Sequence, residues 1–137
     1  LPIEVEGALF SLGDVHARQG DGEIVGAPEI GARVTVCFEV LEHQHAAWPM
    51  IEDDTNWATI TCAENEAEAI RRGVFESARF IARNYDISFN DALVLLTMTV
   101  RLTCARTGNW AGLEPVVGTA FSKAAVKDAT ASYVRPQ

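Results

Sequence analysis

From Trp57 to Tyr85 the chain reads WATITCAENEAEAIRRGVFESARFIARNY, and its hydrophobic period changes on the way. Trp57 to Cys62, rich in Thr and Ile, predicts a strand. From Asn65 onward Ala67, Ile70, Val74, Ala78, Ile81 and Tyr85 recur every three or four positions, which predicts a helix over 66–84. Glu64, Glu66 and Glu68 fall at its start, Arg79 and Arg83 near its end, as the helix dipole favours. Ser88 with Asp91 three residues on resembles a capping box and opens a second helix, expected to run from Phe89 to Thr103 with Ala92, Leu93, Leu96 and Val100 buried. Only Tyr85-Asp86-Ile87 separates the two helices, so they are expected to be antiparallel neighbours on a sheet.

Upstream the character is different. Gly7, Gly13, Gly20, Gly22, Gly26 and Gly31 crowd the first 31 residues, a composition of short extended pieces and tight loops. Ala8 to Leu12 reads as a short buried strand. Arg33 to Leu41 alternates, with Val34, Val36, Phe38 and Val40 on one face, and is the clearest strand signal in the chain. Glu42 to Asn56 is polar and irregular, and Glu52-Asp53-Asp54 reads as a solvated loop. After Gly108 a loop, a strand at Pro115 to Gly118 and a frayed helix are expected. The fold class is therefore α+β: a β-rich N-terminal segment of sandwich- or barrel-like strands, then a strand-helix-helix unit packed on a sheet. The organisation divides into a glycine-rich segment over 1–33 and an α+β unit over 34–137.

Composition bounds the function. With 19 acidic against 11 basic side chains the formal net charge is −8, which repels phosphate backbones and argues against nucleic acid. The apolar run from Ala92 to Val100 is half the ~18 residues that a membrane span needs. No basic-then-apolar leader segment follows Leu1-Pro2, so a cytoplasmic location is expected. Cys37, Cys62 and Cys104 are odd in number and form no CxxC pair, which predicts buried free thiols. His43 and His45, two apart with no third ligand nearby, read as loop residues in preference to a zinc site.

The chemistry concentrates at Gly13-Asp14-Val15-His16-Ala17-Arg18-Gln19-Gly20-Asp21-Gly22-Glu23. Extended backbone at each end puts Asp14 and His16 on one side, Asp21 and Glu23 on another. Gly20 and Gly22 permit the reversal that brings the pairs together. Carboxylates so close cannot all ionise freely; one must have a raised pKa or the group must hold a cation. Such a set suits amide hydrolysis, which needs a base or metal to activate water and an acid for the leaving amine. Two other motifs fail here. Gly20, Gly22 and Gly26 do not open a helix, as a dinucleotide fingerprint must. His16 and Arg18 occupy positions that a calcium loop gives to oxygen donors.

This segment resembles the GDxHAxQGDGE string of the acetamidase/formamidase family at every characteristic position. The similarity continues through Trp48-Pro49 and Trp57. Ile87-Ser88-Phe89-Asn90-Asp91-Ala92-Leu93-Val94-Leu95-Leu96-Thr97 is similar to the family's LSxEDAxxLLS. It extends to Thr103, with Arg101 kept and Cys104 standing where the family has Gln. The resemblance implies hydrolysis of formamide- or acetamide-like amides to carboxylate and ammonia. The catalytic set would be Asp14, His16, Gln19, Asp21 and Glu23: Glu23 or Asp21 as general base, His16 and Asp14 as acid or ligands, Gln19 orienting water or the amide. A divalent metal, zinc or calcium, on Asp14, His16 and Asp21 is the implied cofactor. By length the chain corresponds to the C-terminal part of the family's chain. The N-terminal half would then be a partner supplying a β-sandwich and further active-site walls, within a homo-oligomer. Without that half, Phe10 and Leu12 are the side chains expected to be left exposed. The competing expectation is a non-catalytic metal-binding or assembly domain that keeps the motif for structure.

Overall fold

The computed structural model describes residues 1–3, 5–42, 46–108 and 112–131; the His43 and His45 pair lies outside them. Among the described residues, all regular elements fall between Met50 and Thr130. In chain order they are β1 (Met50–Glu52), β2 (Asn56–Cys62), α1 (Glu66–Tyr85), α2 (Phe89–Thr99), β3 (Arg101–Arg106), β4 (Val116–Ser122) and α3 (Lys123–Thr130). The strands form one antiparallel sheet in the order β1-β2-β4-β3. The α+β class holds.

The two long helices start where the sequence places them. Asn65 caps α1 by accepting the Glu68 amide at 2.9 Å. Ser88 accepts the Asp91 amide at 3.1 Å, and its own hydroxyl donates to the Asp91 carboxylate. α1 ends at Asp86, which turns into the left-handed region at φ 55°. Its buried face is Ala69, Gly73, Ser77, Ala78 and Ile81, so the stripe runs through small residues and Ala67 is exposed. The helix thereby lies close on the sheet. The Thr59 and Ser77 hydroxyls hydrogen-bond at 2.9 Å, and the Thr61 hydroxyl donates to the Ala69 carbonyl at 2.8 Å. A Cβ on Gly73 would overlap Thr119 Oγ1 and reach 3.0 Å from Thr61 Oγ1. Beyond this seam the main core gathers Ala78, Ile81, Ile87, Leu95, Leu96, Phe121 and Val126.

Several elements differ from expectation. α2 stops at Thr99, four residues short of Thr103, and the chain re-enters the sheet as β3. The β-branched run Thr97, Thr99, Val100 and Thr103 favours that change. Cys104 therefore sits on a strand and not at a helix end. Acidic Glu52-Asp53-Asp54 is no loose loop: Glu52 closes β1, and Asp53 Oδ1 accepts the amides of Thr55 and Asn56, each at 2.7 Å, to build the β1–β2 turn. Those bonds hold the Asp53 carboxyl down at about 2. The C-terminal strand is longer than expected, and ordered α3 follows it, capped by Ser122.

The largest departure is upstream. Ala8 to Leu12 and Arg33 to Leu41 are not strands of any sheet; they carry no regular structure, and the segment before β1 has only isolated bridges. Neither is buried. Leu9 is 95% exposed, Phe10 49% and Leu12 56%, and Val34, Val36, Phe38 and Val40 range from 45% to 73%. Phe10 and Phe38 meet edge to face at 4.8 Å. A strand needs a ladder partner as well as an alternating pattern. The described residues supply none. Cys37, in the same stretch, is exposed, and Cys62 and Cys104 are half-buried, so the free thiols are less buried than their composition suggested. Among the described residues no helix is long and apolar enough to cross a membrane.

Candidate active site

The motif segment folds back on itself and then onto the edge of the sheet. Gly22 at φ 86° and Gly26 at φ 135° make reversals that a side chain would oppose. Asp14, at φ 57°, holds a left-handed conformation that Asp tolerates better than most residues. The reversal sets His16 opposite Glu29: the Ala17 amide donates to the Pro28 carbonyl at 2.8 Å and the Ile30 amide to the Val15 carbonyl at 2.9 Å.

Its anchor on the sheet is a β-bulge. Cys104 pairs with Val117 and Arg106 with Val116, leaving Ala105 as the extra residue of β3. The freed Ala105 carbonyl accepts both the Glu23 amide at 3.0 Å and the Gln19 side-chain amide at 2.9 Å. The Glu23 carbonyl in turn accepts the Thr107 amide at 3.1 Å and the Thr107 hydroxyl at 3.2 Å. Gly22 lies against the same edge, where a Cβ would meet Thr107 Cγ2 at 3.5 Å and the Cys104 carbonyl at 3.6 Å.

At the centre stands His16, whose side chain is 15% exposed against 69% for Asp14. Nδ1 lies 2.8 Å from Gln19 Oε1 and Nε2 lies 3.1 Å from Asp14 Oδ1. The bond to Gln19, then the contact with Asp14 and the charges of Asp14 and Glu23, raise the imidazole above its ordinary value against partial desolvation. Ligand atoms of Asp14, His16 and Glu29 all fall within 4.8 Å of one another.

Asp14, His16 and Gln19 are thus in contact, and Glu23 is close enough for its charge to act on the imidazole. Asp21 is exposed and stands outside the Asp14–His16–Glu29 group, where Glu29 takes the third place. Motif reading misses Glu29 because it lies beyond the string. The available signal is the glycine spacing, since reversals at Gly22 and Gly26 return the chain past His16. The Ala105 and Thr107 backbone could not be anticipated, because a bulge leaves no mark in residue type.

Comparison with known proteins bears on the family and the fold. Residues 1–100 match the model of the acetamidase/formamidase family. A 45-residue stretch is 44% identical to a Schizosaccharomyces pombe protein bearing the provisional name formamidase, covering 31% of this chain and 11% of that protein. The crystal structure of an acetamidase from Bacillus halodurans superposes with a TM-score of 0.83 at 30% identity, over 93% of this chain and 43% of that one. The chain thus spans less than half the length of the relatives it matches. With the family model covering most of its residues, the chain belongs to the acetamidase/formamidase family.

Proposed function

We propose that this chain carries the reacting groups of a hydrolase that converts short linear amides, of formamide or acetamide size, to carboxylate and ammonia. The observation that carries the reading is His16, clamped between Gln19 and Asp14 beside Glu29 and within the field of Glu23. An amide is a poor electrophile with a poor leaving group, so hydrolysis needs an activated water and a proton for the departing nitrogen. Glu23, its backbone fixed on the β3 bulge, is the group to take the proton from water. Without a bound cation, the raised pKa of the His16 imidazole suits it to return a proton to the leaving amine; with one, the ring serves as a ligand instead. Asp21, exposed on the same loop, is the alternative base.

The donor set also fits a divalent cation. One imidazole nitrogen and two carboxylates lie within 4.8 Å of one another, and the nitrogen ligand favours zinc over calcium. Asp14, His16 and Glu29 would hold it, in place of the Asp21 that the motif suggests. Such an ion supplies carbonyl polarisation and a more acidic water.

The complete enzyme includes polypeptide beyond this chain's described fold, the family's N-terminal half, in a cytoplasmic homo-oligomer. Exposed apolar segments at 8–12 and 33–41 support that reading, because strands of such a pattern are stable when laddered and covered. The experiment is ammonia release from formamide and acetamide by the complete protein, as prepared, after chelation, and after zinc is restored. Activity lost and then regained supports the reading. Activity that chelation never touches removes the metal, and inertness towards all short amides favours an assembly domain that keeps the motif.

A further inference from the structure

We infer that Gln19 is a positioning residue, a clamp fixed by the bulged Ala105 carbonyl that forces His16 to donate from Nδ1 and turns Nε2 towards Asp14. Donor and acceptor chemistry fixes the orientation of the Gln19 amide. A backbone carbonyl only accepts, so the Gln19 atom at 2.9 Å from the Ala105 oxygen must be its NH₂ group. The amide's other end, 2.8 Å from His16 Nδ1, is then the carbonyl oxygen, also an acceptor only. The proton between them belongs to Nδ1. Both ends of the Gln19 amide are therefore engaged inside the protein. Nε2 is left facing Asp14 Oδ1 at 3.1 Å, and a Glu29 carboxylate oxygen lies within 4.8 Å of a His16 ring nitrogen and of an Asp14 oxygen. Two acceptors so placed repel unless a proton or a cation lies between them, so the clamp prepares Nε2 as the ligating nitrogen. A partner that fixes the tautomer and direction of a metal-binding histidine is a recurrent requirement of such sites.

The functional part of this inference rests on the zinc reading above, while the tautomer does not. The test follows the ring nitrogens of His16 by two-bond proton–nitrogen correlation in the ¹⁵N-histidine-labelled chain, assigned with His16→Gln. Spectra are taken at alkaline pH without metal and again with added zinc. The wild type should show the Nδ1–H tautomer without metal, and ligation through Nε2 with zinc. Gln19→Leu should lose the single tautomer and bind zinc roughly 10–100-fold more weakly, with its thermal unfolding temperature nearly unchanged. Gln19→Glu keeps an acceptor for Nδ1 and should restore the tautomer even if Gln19→Leu folds poorly. An Nε2–H tautomer in the wild type, or Gln19→Leu with unaltered tautomer and zinc affinity, overturns the inference. A wild type with the Nδ1–H tautomer but no zinc affinity removes the metal reading and leaves the clamp standing.

Discussion

Asp53 and Gly22 show how much a single residue decides in this chain. Asp53 gathers the Thr55 and Asn56 amides and the Thr55 hydroxyl on one carboxylate oxygen, which depresses its pKa from 3.8 to about 2. A depressed carboxylate stabilises the fold above its unfolded pKa and loses that contribution as pH falls through the folded one. The stability difference between wild type and Asp53→Asn should therefore shrink between pH 4 and pH 2; urea unfolding at both pH values measures it. Glu68, held at about 2 by its bonds to Arg71 and Arg72, is common to both proteins and cancels. Gly22 has a positive φ and backs onto Thr107 and Cys104, so Gly22→Ala should lift Glu23 from β3. Amide turnover should fall steeply while the melting temperature moves by a few degrees at most. The motif's Asp14, His16 and Gln19 were legible because residue types at fixed short spacing carry chemistry directly. Glu29 and the Ala105 carbonyl were not, since a return of the chain and a bulge bring them in.

Between elements, the tightest constraint is the α1–sheet seam. Ala69, Gly73 and Ser77 let the helix approach β2 and β4, and Thr119 Oγ1 is buried there with no hydrogen-bond partner among the described residues. Gly73→Ala should cost about 1–3 kcal/mol by overpacking. Thr119→Ala removes the obstructing hydroxyl and leaves no orphaned polar atom. The Gly73→Ala/Thr119→Ala pair should therefore recover most of that loss, a coupling that a double-mutant cycle by chemical denaturation reads directly. Hydrophobic period located α1 within a residue, yet it chose Ala67 over Gly73 and Ser77 for the buried face. Close packing selects small residues that a hydrophobicity count passes over. The same period carried α2 too far, because Val100 continues the apolar spacing while β-branched neighbours take the chain into β3.

For the whole molecule, the alternating pattern of Arg33 to Leu41 was read as a strand, and in the structure it joins no sheet. Alternation specifies which face is buried; it does not supply the neighbour. The account expects that neighbour in the family's N-terminal half. Adding that segment should raise the melting temperature and reduce binding of a hydrophobic dye to this chain, whereas unchanged dye binding would oppose the idea. The central claim is chemical, and ammonia release from formamide and acetamide by the complete protein tests it, comparing wild type with Glu23→Gln. The variant keeps the shape of the side chain and its backbone bonds to Ala105 and Thr107 while removing the base. The account predicts a loss in kcat of at least ~100-fold with an unchanged melting temperature; full activity in Glu23→Gln would contradict it.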